Sequence, residues 1–279
     1  MTSRGRLPDF LVAGAMRSGT TSLYRYLGAH PEVFLVPKEL QFFTDGYSRG
    51  LDWYAAQFGA AGSRQVLGEA TADYFARKSA MLRIADVLPS AQLIVSLRNP
   101  VDRAWSHYWL LRARGRESRP FATVVAEEVA AISTEGDETA NALYLSHSLY
   151  DAHLDRAYRL FRPSQLHVSV FERMITDPVA MYRSMCTFLG VDPTYVPSNL
   201  GTPVNPFVTF RSLRIRRFAQ RVPGPGGRMI ARLNTRRDVN RPELEPSLRA
   251  SLEQFFAPRI AHVERMLGRD LPEWRRAAD

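Results

Sequence analysis

The 279-residue sequence is short of cysteine, lysine and long apolar runs. Its one cysteine, Cys186, excludes an intramolecular disulfide framework and any multi-cysteine zinc or iron–sulfur site. It has two lysines, Lys38 and Lys78, among 37 basic residues. No apolar run approaches the roughly 20 residues that span a bilayer. The six histidines are scattered and never fall in the H-x-x-x-H or H-E-x-x-H spacing of a zinc hydrolase. No serine sits in a G-x-S-x-G elbow, and no G-x-G-x-x-G follows a strand. α/β-hydrolase and dinucleotide-oxidoreductase chemistry therefore have no support.

What is present is a globular composition, 45% hydrophobic and 23% charged, on a chain long enough for one large domain. The net charge is +9, carried almost wholly by arginine. Codon bias in a GC-rich genome accounts for most of that preference. Arginine is also the better bidentate partner of phosphate and sulfate, so the excess suits an anionic ligand. The N-terminus is basic and then apolar, like a signal peptide. Its apolar part is short and runs into a glycine loop, so a buried strand is expected there, and the cytoplasm is the expected compartment.

Apolar runs alternate with amphipathic stretches. Strands are expected at Phe10–Ala15, Val66–Gly68, Leu93–Leu97 and Leu166–Phe171. Helices are expected at Thr20–Leu27, Ala80–Leu88, Val101 to about Arg114, Tyr144–Phe161 and Pro178–Leu189. This order predicts an α/β fold: a single domain, 1–279, with a central parallel β-sheet flanked by helices. Residues 191–245 read as an arginine-rich loop region with ten arginines from Arg211 to Arg241 and a glycine cluster at Pro223–Gly227. A C-terminal helix is expected over 246–267.

Three stretches carry chemistry. The first, from Gly14 through Gly19 to Thr20 and Thr21, lies between a strand and a helix. It has the spacing of a phosphate-binding loop with Thr20 where the lysine belongs. Its glycines allow a tight turn, and its N–H groups and the helix N-terminus face an anion, with Arg17 adding a cation. The alternative is a plain glycine turn capped by Ser18 or Thr20. In the second, the Leu93 strand ends at Arg98, Pro100 starts a helix, and Ser106 lies two turns in. Arg98 then stands at the sheet edge where α/β ligands bind. The alternative pairs Arg98 with Asp102. In the third, Lys38 and Glu39 precede Phe42 and Phe43. A carboxylate against aromatics can serve as a general base. The alternative is a surface loop anchored by the two rings.

Together these stretches resemble the sulfotransferases that use 3′-phosphoadenosine 5′-phosphosulfate (PAPS), most closely the heparan-sulfate-type branch and its bacterial relatives. FLVAGAMRSGTTSLYRYLGAHPEV resembles the family's 5′-phosphosulfate loop, PKELQFF its catalytic-glutamate segment, GEATADYF its E-K-T-P-x-Y-F segment, and LIVSLRNPVDRAWSHY its 3′-phosphate strand and helix. SHSLYDAHLDRAYRLF and RPELEPSLRASLEQFF resemble two later helices. The resemblance implies a P-loop-like sulfonucleotide-binding fold and a PAPS-dependent enzyme that needs no metal. It assigns Arg17, Ser18, Gly19, Thr20, Thr21 and Ser22 to the 5′-phosphosulfate and Arg98 and Ser106 to the 3′-phosphate. It makes Glu39 the base and Arg17 the second catalytic residue. It puts Gln41, Phe42, Phe43, Asp73 and Tyr74 on the acceptor side. Arg237 to Arg241, and more loosely Asn205 to Arg211, fall where family members close loops over the nucleotide.

Two departures stand out. Arg17 replaces the family's usual lysine, and Ala70 and Ala72 replace the lysine and proline of the E-K-T-P segment. Asp73 is the alternative base. The partners implied are a sulfonucleotide and an acceptor, a glycan or small natural product offering a hydroxyl or amine. Nucleic acid and membrane are not expected partners. Two rival functions are weighed: a P-loop kinase, which needs the missing lysine, and a polyanion-binding module built on the Arg211–Arg241 segment.

Overall fold

The structure, a computed structural model, describes residues 5–63, 65–135, 143–202, 209–210, 212, 215, 218–219, 221–236 and 242–275. In chain order the elements begin β1 (Phe10–Gly14), α1 (Thr20–Leu27), β2 (Val33–Leu35), α2 (Leu51–Ala56), β3 (Val66–Ala70), α3 (Lys78–Val87) and β4 (Gln92–Leu97). They continue α4 (Pro100–Ala113), α5 (Phe121–Glu135), α6 (Tyr150–Leu160), β5 (Leu166–Val170), α7 (Phe171–Thr176) and α8 (Pro178–Leu189). Last come β6 (Thr209–Phe210), α9 (Gly224–Leu233), β7 (Thr235–Arg236) and α10 (Pro246–Leu267).

The chain divides into two compact units. The first holds residues 1–99, 149–202 and 258–279. Its five strands form one parallel sheet in the order β2-β3-β1-β4-β5. A parallel sheet is covered on both faces, so its strands are near-continuous apolar runs. The alternation of side chains along β1 sends Leu11 and Ala13 to one face with Met81, Ile84, Leu154 and Phe161, and Phe10 and Val12 to the other with Leu23, Leu27, Met185 and Leu189. From β1 the chain moves to β2 and β3 on one side and then crosses to β4 on the other. The switch point of the sheet therefore lies between β1 and β4, where ligands of open α/β sheets bind.

The second unit, 100–148 and 203–257, contains α4, α5, α9 and an antiparallel β6–β7 ribbon. Trp105, Tyr108 and Phe121 pack ring against ring, with centroids 4.9–5.4 Å apart. Arg103 is fully buried and donates to Ser148 Oγ and the Tyr144 carbonyl, so its charge is bonded rather than solvated.

The parallel sheet, the helix α1 and the C-terminal helix stand where the sequence puts them. The helix expected from Tyr144 starts at Tyr150, after a 3₁₀ turn at Ser146–Ser148. The glycine cluster read as loop instead opens α9, because Pro225 sits in the first turn, where its missing N–H costs nothing. Arg237, Arg241 and residues 205–208 and 211 lie outside the described residues. Among the described residues, no helix is long and apolar enough to cross a membrane.

Gly68 is where the sheet tolerates no side chain. It pairs with Phe10 on one side and Leu35 on the other. An added Cβ would lie 2.7 Å from Leu35 Cδ2 and closer still to the Phe10 ring. Gly68→Ala is expected to lower stability by about 1–3 kcal/mol through overpacking. An unchanged urea midpoint would show that the strands can separate at no cost.

Candidate active site

Three segments of the first unit end at the C-terminal edge of the sheet. The loop after β1 is anchored by the Ala15 N–H on the Ser96 carbonyl at 2.8 Å. Arg17 sits in left-handed backbone at φ 71° and Gly19 at φ 84°, and α1 starts at Thr20. Gly19 is required for two reasons. A side chain there would be strained by φ and would strike Met174 Cε and the Phe171 ring. The Ser22 and Leu23 N–H groups bond the Gly19 carbonyl at 2.8 and 3.1 Å, which leaves the Thr20 and Thr21 N–H groups at the positive end of the helix dipole. Ser18 is fully buried and its Oγ has no hydrogen-bond partner.

Arg98 follows β4 directly. Its Nη1 donates to the Arg17 carbonyl at 3.3 Å, and its guanidinium lies 4.7 Å from the centroid of the Phe171 ring. Its Nε is buried without a partner. Asp102, weighed as its partner, instead accepts from Arg249 at 2.6 Å. The turn after Arg98 is fixed by Glu172. One of its carboxylate oxygens accepts from the Asn99 N–H at 3.0 Å and the other from Trp274 Nε1 at 3.1 Å. Burial pushes the Glu172 carboxyl up, while these donors and Arg98 pull it down. Phe171, Glu172 and Trp274 are not among the site residues expected from the sequence. The signal for the first two is their place immediately after β5, beside β4. Ser106 is buried within α4 of the second unit.

The third segment extends β2 along the end of β3. The Val36 N–H bonds the Gly68 carbonyl at 3.2 Å and the Glu39 N–H bonds the Ala70 carbonyl at 2.9 Å. Glu39 and Gln41 are left-handed, at φ 64° and 56°. With Arg17 they are the non-glycine residues of positive φ among the described residues, and each conformation costs about 1–2 kcal/mol. Backbone strain collects at sites that use it. The Glu39 carboxylate is 37% exposed, accepting from Lys38 Nζ at 2.5 Å and Gln41 Nε2 at 3.3 Å.

Phe42, Phe43 and Tyr74 require correction. All three are fully buried, so they cannot line an acceptor surface. Phe42 stacks on Tyr54 at 4.1 Å, and Phe43 meets Tyr74 edge-on at 5.5 Å. The aromatic pair points into the core instead of forming a wall beside Glu39. The Tyr74 hydroxyl donates to Glu69 at 2.6 Å. Asp73 accepts from Arg77 at 3.0 Å. Gln41 is half-buried beside Glu39, to which its Nε2 donates.

The fold and this edge define an α/β protein with a glycine loop and helix start at its sheet switch point, a guanidinium beside the loop, and an exposed carboxylate one strand away. A family profile described as "Sulfotransferase domain" matches residues 7–208, and the chain belongs to that family. It is 34% identical over 202 residues to human "Bifunctional heparan sulfate N-deacetylase/N-sulfotransferase 3", covering 68% of this chain and 23% of that protein. The chain spans less than a third of the length of the first curated relatives it matches. A crystal structure of a sulfotransferase from Alicyclobacillus acidocaldarius superposes with a TM-score of 0.73 at 29% identity, covering 97% of this chain and all of that one. Mouse sulfotransferase SULT7A1 complexed with PAP shares the fold at a TM-score of 0.52 and 15% identity, covering 95% of this chain and 88% of that one.

The unbonded Ser18 hydroxyl yields a test. Ser18→Ala removes no hydrogen bond and is expected to cost the ligand-free protein no more than about 0.5 kcal/mol. The same change is expected to weaken binding of adenosine 3′,5′-bisphosphate in calorimetry. A clear loss of ligand-free stability would mean the hydroxyl serves the fold instead.

Proposed function

We propose that residues 1–279 work as one sulfotransferase domain that moves a sulfuryl group from PAPS to a hydroxyl or amine of a glycan or small-molecule acceptor. The observation that carries this reading is the contact of Arg98 with the Arg17 carbonyl, which joins two anion-binding segments at one sheet edge. The residues fit a phosphosulfate group: a strained glycine loop, a helix start, and two buried polar atoms, Ser18 Oγ and Arg98 Nε, that lack partners. PAPS, when bound, supplies an activated sulfuryl group on its 5′-phosphate.

Arg17, the loop N–H groups and the hydroxyls of Ser18, Thr20, Thr21 and Ser22 hold the 5′-phosphate and take up the negative charge left there as the bond to sulfur breaks. Arg98 and Ser106 hold the 3′-phosphate, the role the family likeness gives them. The same likeness assigns Arg237 and Arg241 to the nucleotide. Glu39 removes the proton of the acceptor as its oxygen or nitrogen bonds to sulfur. Lys38 and Gln41 hold the two Glu39 oxygens, which fixes the direction from which the proton is taken. Arg17 keeps the charge of the family's lysine but is a poor proton donor, so its part is electrostatic. The reaction so described has no step that calls for a metal ion. The acceptor class draws on the heparan-sulfate relatives.

Two measurements test this. In calorimetry, adenosine 3′,5′-bisphosphate is expected to bind tightly and ATP with Mg²⁺ weakly. Equal affinities would favour a kinase and sink the proposal. Arg98→Ala should weaken the bisphosphate by about 2–5 kcal/mol, the range for truncating a buried charge contact. With labelled PAPS and an acceptor found in a pooled screen, Glu39→Gln should cut turnover about 10²–10⁴-fold and leave bisphosphate affinity unchanged. Should Asp73→Asn abolish turnover while Glu39→Gln keeps it, the base is Asp73.

A further inference from the structure

Glu69 is fully buried, yet three hydroxyls converge on it. Thr71 Oγ1 donates to its Oε1 at 2.7 Å and Tyr74 Oη to the same oxygen at 2.6 Å. Tyr54 Oη donates to Oε2. Two of these hydroxyls accept in turn from the Glu39 segment. The Gln41 N–H bonds Thr71 Oγ1 at 3.3 Å, and the Phe43 N–H bonds Tyr74 Oη at 3.2 Å. Tyr54, the third, is the ring on which Phe42 stacks.

We infer that Glu69 is a positioning residue for Glu39: its carboxylate commits the Thr71 and Tyr74 protons, turns their lone pairs toward the Gln41 and Phe43 N–H groups, and so holds the left-handed turn that presents Glu39. The inference rests on the proposed role of Glu39. A hydroxyl has one proton and two lone pairs, and its orientation follows whichever acceptor is strongest. A buried carboxylate outcompetes a carbonyl for that proton, and the chain of bonds polarises in one direction, from backbone N–H through hydroxyl to carboxylate. The turn needs such a hold. Glu39 and Gln41 both occupy backbone that side chains avoid, and the conformation persists only where its surroundings over-determine it. Glu39 is fixed before the turn by the Ala70 carbonyl, and Gln41 is fixed after it by the Gly46 N–H on its carbonyl at 2.9 Å. Thr44 adds its N–H and hydroxyl to the Gln41 carbonyl at 3.2 and 3.0 Å, and the Glu69 hydroxyls take the Gln41 and Phe43 N–H groups.

Burial raises the Glu69 carboxyl, the three hydroxyl donors oppose that rise, and the Glu39 charge adds to it. Tyr54 and Tyr74 are both pushed up by burial and by the carboxylate they bond, so they remain donors across the physiological range.

Thr71→Val and Tyr74→Phe each remove one acceptor with little change of shape. Glu69→Gln retains one carbonyl oxygen for both hydroxyls, and Glu69→Ala retains none. If Glu69→Ala fails to fold, the two hydroxyl variants carry the test. In amide hydrogen exchange on the full chain, Gln41 in Thr71→Val and Phe43 in Tyr74→Phe should exchange at least about tenfold faster than in wild type. Affinity for adenosine 3′,5′-bisphosphate should be unchanged in both. With labelled PAPS and the screened acceptor, kcat should fall about 10- to 100-fold in Thr71→Val with acceptor KM within about twofold. Glu69→Gln should stay within about threefold of wild type in kcat. Unchanged protection of Gln41 and Phe43 overturns the inference, as does an unchanged kcat in Thr71→Val. A wild-type chain that binds no bisphosphate overturns the proposed function instead, and the exchange measurement still decides whether Glu69 holds the turn.

Discussion

The register of β1 against β4 is the constraint on which the site depends. Val12 faces Ile94 and Gly14 faces Val95, so β1 gains one residue on β4 at Ala13, and β4 runs on past the end of β1 to Leu97. The Ala15 N–H then reaches the Ser96 carbonyl, and Arg98 comes within bonding distance of the Arg17 carbonyl. A slip of one residue would send Arg98 to the opposite face of the sheet. The packing of both faces forbids that slip, since Leu93, Val95 and Leu97 fill one core and Ile94 fills the other. Apolar burial far from any ligand therefore fixes the meeting of two cationic segments.

The parts of this arrangement that were legible in the sequence share one property: their signal is local. The glycine loop, the Thr20–Leu27 helix and the Leu93 strand ending in Arg98 each announce themselves within a dozen residues. β2 has three residues, too few for any period to register. In α5, Phe121, Val124, Val125 and Ile132 form a buried stripe at helical spacing. Its valines and threonines lower the intrinsic preference, and α5 is not among the helices expected from the sequence. The direction of Phe42 and Phe43 was not legible. Lys38 to Phe43 has neither strand nor helix period, and two left-handed residues inside it reverse which side chains face the core. A charged pair next to an aromatic pair looks the same whether the rings cover the carboxylate or turn away from it.

Glu69 was hidden for a related reason. It lies within a strand, where sequence pattern marks it only as one polar residue between Gly68 and Ala70. Its partners arrive from 15 residues before it and from two and five residues after it. A buried carboxylate is costly unless its oxygens are bonded, and here three O–H donors supply that compensation. The same donors tie α2, β3 and the Glu39 segment into one unit. Ala70, where the family likeness places a lysine, is buried against the other face with Val12 and Ile94. The lysine beside Glu39 in this chain is its sequence neighbour, Lys38.

The distribution of charge along the sheet edge separates the glycine loop from the Glu39 segment. Lys38 and Glu39 form a pair whose charges cancel at short range. Arg98 donates to a carbonyl and lies over a ring, and neither partner carries a formal charge. Arg17 and the helix start add positive charge of the same sign next to it. The loop side of the edge is therefore electropositive, while the Glu39 side presents a carboxylate paired with Lys38. If the carboxylate were unpaired, an incoming phosphosulfate would be opposed by a like charge a strand away. In the proposed reaction, Lys38 thus lets Glu39 stand as a base beside the phosphosulfate.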